Sequence, residues 1–259
     1  MIKEDIKFQN SVVFEGMTSI RAIIKGFELG INDRVIEKIL FDKDKKTKNA
    51  KNIGYLRAVS NKMGFVLEET DSFEIEKIVI GNSHGGIIAI AKERTVPCLT
   101  NDTKIDENGF YCMIEGIEDP YNFGYALRSL YALGVSGIIL PERNWMTAAG
   151  VVARSSAGAS ELLPIYTANS EDAALIFHNH GYKIVCADKR TDNVLGECEI
   201  KLPLLLIVGG EKRGISSKLL SQTDLIVKIN YASDFNASLS AASATTIFAY
   251  EIMRQNQNK

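Results

Sequence analysis

Three short clusters in the second half of this chain have the residue types and spacing to do chemistry. The first is Asp119-Pro120-Tyr121-Asn122-Phe123-Gly124, with Arg128 behind it. A guanidinium is a rigid fork of donors, and an amide offers both a donor and an acceptor. At the start of one helix, Asn122 and Arg128 can both reach the carboxyl edge of a sheet. Asp119 and Pro120 are also ordinary helix-start residues, so capping explains part of the pattern. The second cluster, Gly209-Gly210-Glu211-Lys212-Arg213-Gly214, follows the apolar run Leu204–Val208. A glycine-rich turn between strand and helix is a common cradle for an anion or nucleotide. Its spacing is neither the dinucleotide G-x-G-x-x-G nor a Walker loop, and a plain turn reads the same way. The third is Ser238-Leu239-Ser240-Ala241-Ala242-Ser243-Ala244. Such small residues let another segment approach a helix backbone closely, or they form a capped packing helix and nothing more.

The elements that must position these clusters are βα repeats. Strands are predicted at Phe110–Ile117, Val135–Leu140, Lys183–Ala187, Leu204–Val208 and Leu225–Ile229, and helices at Tyr121–Leu133, Asn144–Ala153, Ser170–His180 and Ser238–Glu251. Strands separated by helices imply a mostly parallel sheet covered on both faces. Ligands bind at the carboxyl ends of strands in such sheets. The first hundred residues read as a smaller α/β unit, complete by about Ala91. Its predicted helices are Met17–Lys25, Ala50–Met63 (stopped by Gly64) and one capped by Ser72 running through Ile80. Its predicted strands are Val35–Phe41, Phe65–Leu67 and Ile87–Ala91. Lys92–Gly109 has the composition of a linker, which sets the domains at 1–105 and 106–259.

Composition narrows the function classes. At 259 residues there is ample apolar content for real cores. No run approaches the roughly 18 apolar residues of a membrane span. Met1-Ile2-Lys3-Glu4-Asp5 lacks a hydrophobic targeting run, so a cytoplasmic protein is expected. Cys98, Cys112, Cys186 and Cys198 show no C-x-x-C spacing and read as reduced, mostly packing thiols. His178 and His180 have no ligand pattern around them, so no metal is expected. A net charge of −2 does not advertise a nucleic-acid binder. The one concentrated basic run holds Lys43, Lys45, Lys46, Lys48 and Lys51, and on its own it reads first as a solvated loop and helix start.

Taken together, the three clusters resemble the SpoU (TrmH-like) family of RNA ribose 2′-O-methyltransferases, in the SPOUT superfamily. Asp119 through Arg128 is similar to that family's first motif, D-P-x-N-x-G-x-x-x-R. Arg154-Ser155-Ser156-Ala157-Gly158-Ala159, followed by Pro164, resembles its middle segment. Ile207–Gly214 resembles the second motif, and Ser238–Glu251 the third. Two positions depart from the pattern: Ser240 stands where the family has asparagine, and Asn230 where it has proline. The first hundred residues, with Asn82-Ser83-His84-Gly85-Gly86-Ile87, are similar to the substrate-binding domain of many members, itself a relative of RNA-binding ribosomal proteins.

The resemblance implies a small ribosomal-protein-like α/β domain followed by an α/β domain with a deep C-terminal trefoil knot, acting as a homodimer. It implies S-adenosylmethionine as cofactor, contacted by Gly209, Gly210, Glu211, Gly214, Ile229, Leu239, Ser240 and Ala244. It implies Arg128, Asn122, Ser238 and Glu211 as catalytic residues acting on a ribose 2′-hydroxyl of ribosomal or transfer RNA. The lysine run and Arg154 are expected to add RNA contacts. The alternative, favoured only by Ser240, is a catalytically silent RNA-binding protein on the same fold.

Overall fold

The computed structural model describes residues 11–81, 83–141, 148–210, 214–234 and 236–257. Main-chain contacts group them into two compact units. One runs up to Thr95 and takes in a later segment ending at Leu162; the other holds Val96 to Asn144 and Leu163 onwards. A single cut near residue 105 is therefore not what the contacts give.

The first unit is a mixed four-stranded sheet in the order β1-β4-β2-β3: Ser11–Glu15 (β1), Ile36–Asp42 (β2), Val66–Thr70 (β3) and Ile87–Lys92 (β4). β4 runs antiparallel to β1 and β2, and β3 is parallel to β2. Helix α1 (Gly16–Glu28) buries Ile20, Ile23 and Ile24 at helical spacing. Helix α2 (Ala50–Met63) lays Ile53 and Leu56 on the same core and ends on Gly64, whose φ of 78° is a left-handed C-terminal cap. The helix expected to be capped by Ser72 and to run through Ile80 is α3, Ser72–Ile78, with Asp71 at its N-cap position. The Ser72 hydroxyl donates instead to Asp42 Oδ2 at 2.6 Å.

Helix α5 (Ala149–Ser155) and a 3₁₀ turn at Ala159–Glu161 join this unit although they follow it by more than fifty residues. The cause is a buried ion pair. Arg34 Nε and Nη2 reach the two carboxylate oxygens of Glu161 at 2.9 and 3.3 Å, with both side chains at most 2% exposed. Arg34 also donates to Lys92 O at 2.9 Å and lies over the Phe14 ring. Asn32 Nδ2 donates to Glu161 O at 2.8 Å, and Arg94 Nη1 to Ser160 O at 2.9 Å. Gly26 completes the fit, since a Cβ there would lie 2.1 Å from Glu161 O.

The second unit is a six-stranded, wholly parallel sheet in the order β10-β8-β9-β5-β6-β7. Its strands are Phe110–Ile114 (β5), Gly137–Leu140 (β6), Ile165–Thr167 (β7), Lys183–Ala187 (β8), Leu204–Val208 (β9) and Leu225–Val227 (β10). β5 and β9 lie side by side at the centre with every residue buried, as two-face coverage requires. Covering helices are α4 (Pro120–Ala132), α6 (Ser170–Asn179), the short α7 (Ser217–Leu220) and α8 (Ala241–Asn256). The supposed linker is partly built into this unit: Leu99 N donates to Thr167 O and Thr167 N to Pro97 O, at 2.8 and 2.9 Å. Tyr182 receives Gly109 N at 3.1 Å and donates to Asp106 O. Cys112 and Cys186 are buried, which pushes their thiols up, Cys186 to about 11, so both stay protonated packing groups. Among the described residues, no helix is long and apolar enough to cross a membrane.

Removing Arg34 strands the Glu161 carboxylate in the core. Arg34→Ala should destabilise the protein by about 3–5 kcal/mol in urea denaturation. A loss below about 1 kcal/mol, the range of exposed pairs, would show that this pair does not hold the 148–162 segment.

Candidate active site at the carboxyl edge of the parallel sheet

From β5 the chain proceeds outward to β6 and β7, while β9, β8 and β10 lie on the other side. The strand order therefore reverses between β5 and β9, and a crevice at the carboxyl ends of strands at such a point is where open α/β sheets take ligands. The β5–β9 ladder runs one bond past the strands, Glu115 N donating to Val208 O at 2.9 Å. Both chains then turn on glycine. Gly116 adopts φ +72°, and a Cβ on Gly210 would lie 2.8 Å from Glu115 O and 2.8 Å from Gly116 Cα. A Cβ on Gly209 would lie 2.8 Å from the Gly214 carbonyl carbon and 3.0 Å from Ile215 Cγ1. The turn closes on itself through Gly214 N to Gly210 O at 3.0 Å, with Gly214 at φ +60°. Here two main-chain turns pack directly on each other, because nothing larger than hydrogen fits between them. Glu211, the acid expected in this turn, lies outside the described residues, as does Asn82.

Asp119 is the N-cap of α4 and accepts from Asn122 N at 2.9 Å, with Pro120 next in the first turn. Capping by Asp119 sets the Asn122 backbone at the start of the helix. Phe123, Ala126, Leu127 and Leu130 point into the core and Arg128 points out. Six residues along a helix are about 9 Å of rise and roughly 120° of turn, so Asn122 and Arg128 do not share a face. Arg128 shares its stripe with Tyr121 and Tyr125, both exposed, and makes no hydrogen bond or ion pair among the described residues. The neighbouring helix α8 presents exposed Ile247 and Tyr250, and Thr246 Oγ1 donates to Ser129 Oγ of α4 at 2.8 Å.

Of the third cluster, Ser238 and Leu239 lie ahead of the helix, which begins at Ala241 and not at Ser238. Ser240 is its N-cap: its Oγ accepts from Ser243 N at 3.2 Å and donates to Ser243 Oγ at 3.0 Å. Leu239 N is held by Tyr231 Oη at 3.1 Å, a contact the sequence reading missed because a lone tyrosine in a polar loop carries no periodic signal. Ile229 and Ala244 are half-buried and Ser238 is exposed. The strand before Ile229 stops early, at Val227, because Lys228 N donates to Asn193 O at 2.9 Å. A second group missed by sequence is Ser170, whose hydroxyl donates to Glu115 just beyond β5.

The proposed RNA contacts all sit in the first unit. Lys43 pairs with Asp71, Lys45 with Asp42 at 3.3 Å and Lys46 with Glu69 at 2.5 Å. Lys48 and Lys51 are exposed and unpaired among the described residues. Arg154 donates to Glu15 Oε2 at 2.5 Å, and Glu15 Oε1 accepts from Ile80 N and Gly81 N at 2.9 and 3.1 Å. Arg154 therefore compensates a buried carboxylate instead of standing free on a surface.

Comparison with known proteins follows this geometry. A family model described as the SpoU rRNA Methylase family matches residues 109–250. A TrmH family protein of Staphylococcus saprophyticus is 30% identical over 144 residues, 55% of this chain and 57% of that protein. The chain thus spans little more than half the length of this curated relative. An AdoMet-bound rRNA methyltransferase from Sinorhizobium meliloti superposes with a TM-score of 0.78 at 23% identity, over 95% of this chain and 88% of that one. The SpoU methyltransferase AviRb from Streptomyces viridochromogenes, in complex with AdoMet, gives 0.76 at 21%, over 96% and 91%. At these identities the likeness is one of fold, an α/β chain with a mostly parallel sheet.

Capping by Ser240 sets a stability expectation. Ser240→Ala should cost about 1 kcal/mol in thermal or urea unfolding, while Ser240→Asn, an equally good cap, should be near neutral. A neutral alanine variant would mean that the cap is not what starts α8.

Proposed function

This chain belongs to the SpoU rRNA Methylase family, and from that premise we propose that it transfers a methyl group from S-adenosylmethionine to a ribose 2′-hydroxyl of structured RNA, ribosomal or transfer. The observation that carries the reading is the close approach of the glycine turns after β5 and β9 at the carboxyl-edge switch point of the parallel sheet. It suits a ligand recognised by main-chain donors and acceptors, as a purine ring can be. Gly209, Gly210, Glu211, Gly214, Ile229, Leu239, Ser240 and Ala244 are the residues that hold the cofactor. When bound, S-adenosylmethionine supplies an electrophilic methyl group on a sulfonium leaving group.

The remaining work falls to this chain's side chains, which must place the hydroxyl and stabilise the charge on its oxygen. Positioning alone is worth roughly 7–11 kcal/mol. A guanidinium carries hydrogen-bond donors and no acceptor, so Arg128 is assigned as a clamp and not as the base. It clamps the RNA phosphate beside the reacting sugar and stabilises negative charge developing on the 2′-oxygen. Asn122 and Ser238 hold the sugar and phosphate in register.

Arg128 stands on an exposed stripe with Tyr121 and Tyr125, beside Ile247 and Tyr250 of the packed helix α8. Exposed aromatic residues gathered on two adjacent helices are the mark of an interaction surface. This supports a homodimer in which Arg128 lies near the subunit boundary. The placement of β9 between β5 and β8, with Gly210 pressed on Gly116, supports a C-terminal trefoil knot, one of the known exceptions to unthreaded chains. In the first unit, Lys48 and Lys51 are the cations of the lysine run left unpaired among the described residues and the best placed of it to meet RNA phosphates. The protein works without a metal and without a membrane, in the cytoplasm.

Tritium transfer from labelled S-adenosylmethionine to total RNA, with cofactor binding followed by calorimetry, tests the assignment. Arg128→Ala should lower transfer at least ~10²-fold with cofactor affinity nearly unchanged. Arg128→Lys should also fail, because a point charge does not replace a fork. Parallel loss of transfer and cofactor binding would move Arg128 into the cofactor pocket.

A further inference from the structure

The loop that leaves β8, residues 188–195, bonds to both segments that carry the proposed cofactor contacts. On one side Arg190 Nη2 donates to Ile215 O at 2.9 Å. Ile215 is buried, directly follows Gly214, and touches the site where a Gly209 side chain would begin. On the other side the loop is stitched to the end of β10. Thr191 Oγ1 and Asn193 Nδ2 both donate to Ile226 O, at 3.1 and 3.0 Å. Asp188 N donates to Val227 O at 3.1 Å, and Leu195 N to Lys228 O at 2.8 Å. Ile229 is the next residue.

Arg190 is itself fixed as a fork. Its Nε and Nη2 donate to the two oxygens of Asp188 at 2.9 and 2.8 Å, and its own main-chain N–H donates to Asp188 Oδ1 at 2.9 Å. The Asp188 side chain is only 9% exposed. The hydrogen bond from Arg190 holds its carboxyl below the usual carboxylate range, so the pair is fully charged at neutral pH. An ion pair with one exposed member adds little to stability. The fourth bond, to the main-chain carbonyl of Ile215 directly after the glycine turn, gives this arginine a different use.

We propose that Arg190 is a positioning residue for the cofactor site, holding Ile215, which packs behind Gly209, at a set distance from the end of β10 without touching substrate itself. This rests on the methyltransferase reading above. Lysine cannot replace Arg190, because one ammonium does not serve both Asp188 oxygens and Ile215 O in a fixed plane.

The test uses the full chain and S-adenosylmethionine itself as probe, with calorimetric Kd, transfer kinetics on RNA and thermal melting measured for each variant. Arg190→Ala should raise the Kd for S-adenosylmethionine about tenfold, the effect of losing one well-placed charged hydrogen bond. The kcat at saturating cofactor and the KM for RNA should not move, and melting should fall by no more than about 2–4 °C. Arg190→Lys should recover little of the affinity, and Asp188→Asn, which frees the fork, should behave as a milder Arg190→Ala. An unchanged Kd in Arg190→Ala, or equal losses in Kd, kcat and RNA KM, would overturn the positioning role while leaving the methyltransferase reading intact. A wild-type protein that binds no S-adenosylmethionine would overturn both.

Discussion

The parallel-sheet unit depends on one approach of backbone to backbone, where the turn after β9 meets the turn after β5. Gly210 lies so close to Glu115 and Gly116 that even a methyl group would sit inside van der Waals contact with main-chain atoms. Backbone cannot yield as a flexible side chain can, so both turns must be glycine and both strands must end in register. Phe110–Ile114 and Leu204–Val208 pair residue for residue up to that point. From there the two turns are held main chain to main chain, with Ile215 packed behind Gly209.

The first unit depends on a different kind of constraint. Glu161 and Arg34 are both withdrawn from water, and each compensates the other. Such a pair is costly to break and adds little net stability over an apolar replacement. What it contributes is specificity, because only one docking of the 148–162 segment satisfies Arg34, Asn32 and Arg94 together. Arg154 and Glu15 repeat the device nearby in the same unit. A basic residue that looked available for RNA is thus committed to folding.

Long periodic elements were legible in the sequence. α2 has the expected bounds and stops on Gly64, and β8 and β9 fall where their apolar runs lie. Two strands escaped notice for physical reasons: β1, Ser11–Glu15, shows no alternation in its short Val-Val-Phe run, and β7 spans only three residues. The transfer of residues 148–162 to the first unit was invisible because its cause is a contact between residues 127 apart in sequence. Within the site, the glycines and Asp119 could be read because turns and caps demand particular residue types, whereas the helix was expected from Ser238 and its cap at Ser240 was not. Arg190 and Tyr231 could not, since a charged triplet after a strand and a tyrosine in a loop read as surface until their partners, Ile215 and Leu239, are in place.

The most direct test of the paired glycine turns is calorimetric titration of S-adenosylmethionine into wild-type protein, Gly210→Ala and the control Gly54→Ala. Gly54 lies in α2 with open space where a Cβ would go, so its variant should bind as the wild type does. Gly210→Ala should stay folded by circular dichroism yet bind at least about tenfold more weakly, since ~1–3 kcal/mol of overpacking falls where the two turns meet. Equal affinity in all three proteins would contradict the account.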